Sequence, residues 1–249
     1  MNETLIITKI FEGIKYAFDY TEKTRGQIEA LIKPEYLLTV KIAESISSLN
    51  DLTNPAYIIR LEEPTSEFSY GCLPNYSSEK FILTELKDSI IRKGKIDIAV
   101  YLAGKNPQFH YPKALFPIEV KSFKNTKYAF LADVERNIEY FKINDEITGD
   151  SHIELAYCTA LEDSRIYYKE DKASEINRIS EKYENWLCNL KKEETNIDFE
   201  VKVKTICDHL YSKDDTFDLT EGQTEIDYLS DSYHYIAVIV IIKRRKQNN

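Results

Sequence analysis

The sequence predicts an α/β fold in which a central mixed β-sheet is flanked by helices. The chain has 249 residues and is 43% hydrophobic, which is enough to bury a sizeable core as one domain. Apolar residues recur at helical spacing in some segments, whereas other segments are short apolar runs bounded by turn residues. Helices and strands therefore follow one another along the chain, an order that is typical of mixed α/β proteins.

Helices and strands are predicted along the whole chain. The predicted helices cover residues 4–20, 34–49, 132–143 and 173–190, and Pro34 suits the first turn of the second helix. The predicted strands cover residues 56–61, 96–102, 116–123, 153–161, 197–206 and 235–242. Residues 81–91 fit either kind of element.

No linker or repeat divides the chain, so we expect a single domain over residues 1–249. Its core is expected at about residues 34–161. Residues 1–33 would add an N-terminal helix, and residues 162–249 a C-terminal α/β elaboration.

Composition excludes several classes of protein. The longest apolar run, residues 236–242, is far too short to span a bilayer. The N-terminus lacks the pattern of a secretory signal, so we expect a cytoplasmic protein with no membrane partner. The four cysteines are scattered without a CxxC pair, which indicates buried reduced thiols and not a disulfide or zinc framework.

Charge is distributed unevenly. The net charge of −9 disfavours a nucleic-acid partner, because phosphate binding relies on lysine and arginine. Residues 86–128 nevertheless carry nine basic and three acidic side chains, a local charge of +6. A solvated lysine-rich loop region would explain this charge, and so would a track for DNA. The track would include Lys93, Lys95, Lys124 and Lys127.

Two of the predicted strands carry polar residues in an apolar setting. Because side chains alternate along a strand, Glu119 and Lys121 share one face while Ile118 and Val120 point to the other. Asp97 stands on the preceding apolar strand, 22 positions earlier. Two adjacent strands can therefore bring two carboxylates and one ammonium group together at the edge of a sheet.

Phosphodiester hydrolysis needs such a set of groups. Carboxylate oxygens are hard ligands that suit Mg²⁺ or Mn²⁺, and such an ion polarises a phosphate oxygen. A neighbouring lysine can orient the attacking water and offset the charge that grows on the phosphate. The backbone carbonyl of Val120 would be a further oxygen ligand.

Glu-x-Lys alone is a weak signal, because the chain contains it four times, starting at Glu85, Glu119, Glu170 and Glu200. The second copy is distinguished by its apolar strand and by the aspartate on the strand before it. Glu200-Val201-Lys202 is the strongest competitor, since it also lies on a predicted strand, but no comparable aspartate precedes it.

At these residues the chain resembles the PD-(D/E)XK nuclease superfamily. That core is a helix, a β-hairpin bearing Asp and Glu-x-Lys, a second helix and a further strand, and the match covers roughly residues 34–161. Ile96-Asp97 replaces the name-giving Pro-Asp, a common departure in this divergent group. The resemblance implies a restriction-endonuclease-like core and a Mg²⁺-dependent DNA nuclease, with Asp97 and Glu119 as metal ligands and Lys121 as the catalytic lysine.

The superfamily often adds a glutamate from the first helix. Glu35 is the expected residue, because it falls on the stripe of Leu38 and Ile42 that faces the sheet. A favourable acid in a first helical turn is an equally good explanation for Glu35. Glu44, on a different stripe, is the reserve candidate. Arg136, on the second helix, is expected to form a surface salt bridge, with phosphate contact as the alternative.

Two functions fit this pattern. The first is a stand-alone DNA endonuclease of the kind found in restriction or phage-defence systems, and a homodimer is expected if it cuts both strands at a symmetric site. The second is a noncatalytic interaction module that keeps the nuclease fold, which the acidic remainder and the 18 tyrosines would suit. The intact Asp97, Glu119 and Lys121 favour the nuclease.

Overall fold

The computed structural model describes most of the chain. The described residues are 2–24, 34–51, 56–73, 94–103, 112–123, 125–145, 149–164, 166–213, 229 and 232–245. The ambiguous segment at 81–91 lies outside these residues, as does most of the predicted connection between the two strands that bear the candidate site.

A six-stranded mixed β-sheet forms the centre of the molecule. The described strands are β1 (Tyr57–Pro64), β2 (Lys95–Leu102), β3 (Lys113–Lys121), β4 (Asn144–Asp145), β5 (Gly149–Asp150), β6 (Leu155–Ser164), β7 (Ile197–His209) and β8 (Tyr233–Arg244). The order in the large sheet is β1-β2-β3-β6-β8-β7, and β4 and β5 form a separate short hairpin. Within the large sheet β3 and β6 pair in parallel, whereas the other neighbours pair antiparallel.

Helices cover both faces of this sheet. The described helices are α1 (Glu3–Thr24), α2 (Pro34–Ser47), α3 (Thr65–Gly71), α4 (Lys127–Lys142) and α5 (Lys172–Glu193), with short 3₁₀ turns at Ser48–Asp51 and Lys169–Asp171. Apolar side chains of α1 and α2 pack on one face, and those of α3, α4 and α5 on the other. The predicted mixed sheet flanked by helices is therefore confirmed. Among the described residues, no helix is both long and apolar enough to span a membrane.

The contact between α1 and α2 depends on a glycine. A Cβ atom added at Gly13 would overlap the backbone of Ile42, so a larger residue would push the two helices apart. Leu38, Ile42 and Ile46 of α2 are all buried beneath this contact, as their helical spacing predicts. The phase of α2 is thereby fixed, and with it the position of Glu35 in the first turn.

The start of α4 differs from the prediction. The helix begins at Lys127, five residues before the predicted start at Ala132. Thr126 is the N-cap, and its side chain accepts a hydrogen bond of 3.2 Å from the amide of Ala129. The first turn is therefore stabilised by a cap, and its last residue, Phe130, is buried in the core.

Strands β2 and β3 separate at one end. Their ladder ends at the pair Ile98 and Ile118. Beyond that point β3 continues to pair with β6 as far as Lys121, while β2 continues to pair with β1 as far as Lys95. An opening therefore forms between the two central strands, and the candidate site lies there.

Candidate active site

Asp97 and Val120 face each other across the opening between β2 and β3. The amide of Val120 donates a hydrogen bond of 2.7 Å to Oδ2 of Asp97. A residue in an extended strand presents its N–H and C=O to the same neighbouring strand, so the Val120 carbonyl also lies on the β2 side. Burial raises the pKa of Asp97, while this hydrogen bond and the charge of Lys121 oppose the rise.

Glu119 is almost completely buried, with 1% of its surface exposed. Arg136 of α4 donates to Oε1 of Glu119 through Nε at 3.0 Å, and its Nη2 lies 2.7 Å from the same oxygen. Burial raises the pKa of Glu119 well above its usual range, and the positive charge of Arg136 opposes this effect. The charge of Asp97, which accepts a hydrogen bond from the amide of the next residue, Val120, raises the pKa of Glu119 further.

Lys121 lies at the end of β3, on the same face as Glu119. Its Nζ is 2.8 Å from Oδ2 of Asp133 and 4.0 Å from Oε1 of Glu35. Burial by itself would lower the pKa of Lys121, but the neighbouring carboxylates, Asp133 above all, raise it above its usual value. The side chain is therefore a cation at neutral pH.

The two glutamates of α2 have different surroundings. Glu35 approaches Lys121 from the first turn of the helix, and its side chain is 44% exposed. Glu44 points into solvent with 60% exposure and pairs with Lys41 of the same helix at 2.8 Å. The structure thus brings Glu35, and not Glu44, to the candidate site.

One residue of this site, Asp133, was not predicted from the sequence, and Arg136 was predicted in different surroundings. Asp133 is 7% exposed, and its two carboxylate oxygens hold Lys121 on one side and Arg136, at 3.0 Å, on the other. The prediction of a surface salt bridge for Arg136 was wrong, because its side chain is only 16% exposed and reaches Glu119. The sequence does contain a signal for Asp133, because this residue lies beside Val134 on the apolar stripe of α4.

The predicted DNA track is described only in part. Lys95 is exposed, and its Nζ lies 3.7 Å from Oε2 of Glu62. Lys127 is exposed in the first turn of α4. Lys93 and Lys124 lie outside the described residues.

The competing Glu-x-Lys on β7 has ordinary surface surroundings. Strand β7 forms the edge of the sheet opposite β1. Glu200 forms ion pairs with Lys202 of the same strand and with Lys243 of β8, which also pairs with Glu3 of α1. These are partly exposed pairs of the kind that contribute little to stability.

The donor set at the opening fits a divalent cation. Across the residues that the structure describes, no group of three or more histidine, cysteine, aspartate or glutamate side chains is arranged to hold a metal ion. Mg²⁺ does not require three such side chains, since it is commonly bound by one or two carboxylates and keeps several waters. Asp97, Glu119 and the Val120 carbonyl supply oxygen atoms of the kind that Mg²⁺ prefers, and a cation bound to them would offset the cost of burying two carboxylates.

No protein-family model, curated protein or solved structure matches this chain. Any functional assignment therefore depends on the residues of the site itself.

Proposed function

We propose that the protein is a metal-dependent nuclease of the PD-(D/E)XK class that hydrolyses phosphodiester bonds in DNA. The observation that carries the proposal is the position of Asp97 and Glu119 at the opening between β2 and β3, with Lys121 beside them. In chain order, α2 is followed by β1 and α3, then by the antiparallel strands β2 and β3, and then by α4. After the short strands β4 and β5 comes β6, which pairs in parallel with β3. An order of helix, antiparallel strand pair, helix and further strand supports the assignment to that class.

Asp97 and Glu119 are the proposed ligands of Mg²⁺ or Mn²⁺, together with the carbonyl of Val120. Such an ion, when bound, polarises a phosphate oxygen of the substrate. The Val120 amide holds Asp97 in place through its 2.7 Å hydrogen bond, so the strand backbone itself orients one ligand.

Lys121 acts in this mechanism as a fixed positive charge. Because nearby carboxylates raise its pKa, it is not a proton acceptor at neutral pH. Its role is to orient the attacking water and to stabilise the negative charge that grows on the phosphate. Glu35, 4.0 Å from the Lys121 ammonium, is proposed to position that lysine and the water near it.

The biological setting follows from the same proposal. We propose a cytoplasmic restriction or phage-defence nuclease, which would act as a homodimer if it cuts both strands of a duplex at symmetric positions. Exposed lysines near the opening, such as Lys127, would contact the DNA backbone.

Incubation of the purified protein with supercoiled plasmid tests the proposal. Nicked or linear DNA is expected with Mg²⁺ or Mn²⁺, and none with a chelator. Folded Asp97→Ala, Glu119→Ala and Lys121→Ala proteins should be inactive. Equal cleavage with chelator would exclude the metal mechanism. Absence of cleavage of plasmid, single-stranded DNA and RNA would favour the noncatalytic interaction module.

A further inference from the structure

Arg136 and Glu119 form a buried ion pair in which the arginine contacts only one of the two carboxylate oxygens. The guanidinium contacts Glu119 through Nε and Nη2, and both contacts are made to the single oxygen Oε1. The side chains are 16% and 1% exposed, so little water screens the pair. A carboxylate in such surroundings must be compensated by charge or by hydrogen bonds, and Arg136 supplies both.

A divalent cation at the same carboxylate would have to share it with Arg136. The two positive groups would repel each other strongly where water is excluded. Both would also bind the lone pairs of the Glu119 carboxylate, the guanidinium by hydrogen bonds and the metal ion by coordination. The guanidinium therefore opposes the binding of a metal ion as long as it stays on Oε1.

Arg136 has a second anchor that does not depend on Glu119. Its Nη2 donates a hydrogen bond of 3.0 Å to Oδ1 of Asp133, three residues earlier on α4. Oδ2 of Asp133 holds Lys121 at 2.8 Å. The guanidinium can thus leave Glu119 and remain paired with Asp133, so its own positive charge stays compensated, while a bound metal ion would compensate Glu119.

We infer that Arg136 is the internal counter-ion of Glu119 and competes with the divalent cation for that carboxylate, so that the Asp133–Arg136 pair sets how tightly the site binds metal. The inference rests on the proposed function, since it requires a metal at Glu119. Arg136 is a positioning residue in this account, because it acts through Glu119.

The chain offers a matched control on α5. Arg178 and Glu175 also lie three residues apart, and Nε and Nη2 of Arg178 donate to the Glu175 carboxylate at 2.6 and 2.7 Å. Glu175 is as buried as Asp133, but it accepts a hydrogen bond from Ser164 and lies outside the proposed metal site. Arg178 is 61% exposed, more than Arg136, so its removal tests the loss of an arginine at the same i, i+3 spacing without a change at Glu119.

Calorimetric titration with Mn²⁺ tests the inference. Arg136→Gln should bind Mn²⁺ with a dissociation constant about tenfold lower than the wild type, whereas Arg178→Gln should stay within about twofold. Arg136→Lys, which keeps the charge but loses the planar fork, should fall between them. The gain in Arg136→Gln should vanish when Glu119→Gln is added.

Each of the other outcomes also supports or overturns the inferred competition. If the wild type binds Mn²⁺ and Arg136→Gln binds it equally or more weakly, the competition is excluded while the nuclease proposal stands. If none of the proteins binds Mn²⁺, the metal site and the competition both fail. If Arg136→Gln is unfolded without metal, circular dichroism should show that Mn²⁺ restores its fold, because the ion replaces the lost counter-ion. A failure of Mn²⁺ to restore the fold would overturn the inference.

Discussion

Oδ2 of Asp97 accepts a hydrogen bond of 2.7 Å from the backbone amide of Val120. The bond forms just beyond Ile98 and Ile118, where the β2–β3 ladder ends. Asp97 therefore has two roles in our account. It supports the separated strands as a hydrogen-bond acceptor, and it binds the proposed metal ion as an anion.

Substitution can separate these two roles of Asp97. Asp97→Asn keeps an oxygen that can accept the Val120 bond, so its unfolding free energy should stay near the wild-type value. Asp97→Ala leaves the amide without this partner and should lose about 2 kcal/mol in urea unfolding. Both variants should lose Mg²⁺-dependent cleavage. Full activity in Asp97→Asn would show that the charge is not needed.

Glu35 and Glu44 provide a matched pair on α2. Glu35→Gln keeps the shape of the side chain but removes the charge beside Lys121, and we expect the cleavage rate to fall at least about tenfold. The melting temperature should change little, because a partly exposed charge in a first helical turn contributes roughly 0.3–1 kcal/mol. Glu44→Gln should cleave normally. The reverse result would assign the role to Glu44.

The four lysines of the proposed DNA track should determine the salt dependence of DNA binding. Replacement of Lys93, Lys95, Lys124 and Lys127 with alanine removes four charges that would release counterions from DNA. The affinity should fall, and the plot of its logarithm against that of the salt concentration should become flatter. Binding measured by fluorescence anisotropy over a range of salt checks this. An unchanged slope would place the DNA track elsewhere.

His234 should make the protein less stable as the pH falls. Burial lowers its pKa below the usual 6.5; Lys172 lowers it further, whereas Asp208 and Glu175 oppose the shift. Below pH 6.5 the unfolded chain therefore takes up a proton that the folded protein does not, so folding loses free energy in acid. Glu175, whose pKa is lowered from 4.5, contributes only at lower pH.

The comparison protein for this prediction is His234→Gln. Groups that do not interact with His234 titrate equally in both proteins, and Glu175, which does interact with it, has a pKa lowered from 4.5. The difference between the two unfolding curves above pH 5 therefore isolates His234. The wild type should lose more stability than the variant between pH 7 and pH 5, measured by urea unfolding. Parallel curves would mean that His234 is protonated equally in the folded and unfolded chain.

The local pattern of the chain predicted much of the fold. The stripe of Leu38, Ile42 and Ile46 gave the buried face of α2, and the apolar alternation around Glu119 gave the face of β3. Both predictions succeed because the spacing of apolar residues within one helix or strand identifies the face that is buried. The structure brings Glu35 to within 4.0 Å of the Lys121 ammonium and Asp97 to the Val120 amide, between Glu119 and Lys121.

The parts of the site that were missed depend on packing between elements. The first turn of α4 is set by the Thr126 cap, which an apolar pattern does not reveal. Arg136 reaches Glu119 because α4 crosses the end of β3, and that crossing is a tertiary relationship. An arginine in an i, i+3 pair with Asp133 is usually a solvated surface pair, so the sequence alone favoured the wrong surroundings.

The most direct test of the proposed active site compares Glu119→Ala with Glu200→Ala in plasmid cleavage with Mg²⁺. Both glutamates belong to a Glu-x-Lys on a strand, but Glu119 is buried beside Asp97, whereas Glu200 pairs with surface lysines on β7. We predict that the wild type and Glu200→Ala cut the plasmid at similar rates and that Glu119→Ala does not cut it. Cleavage by Glu119→Ala together with loss of cleavage in Glu200→Ala would contradict the account and move the active site to β7.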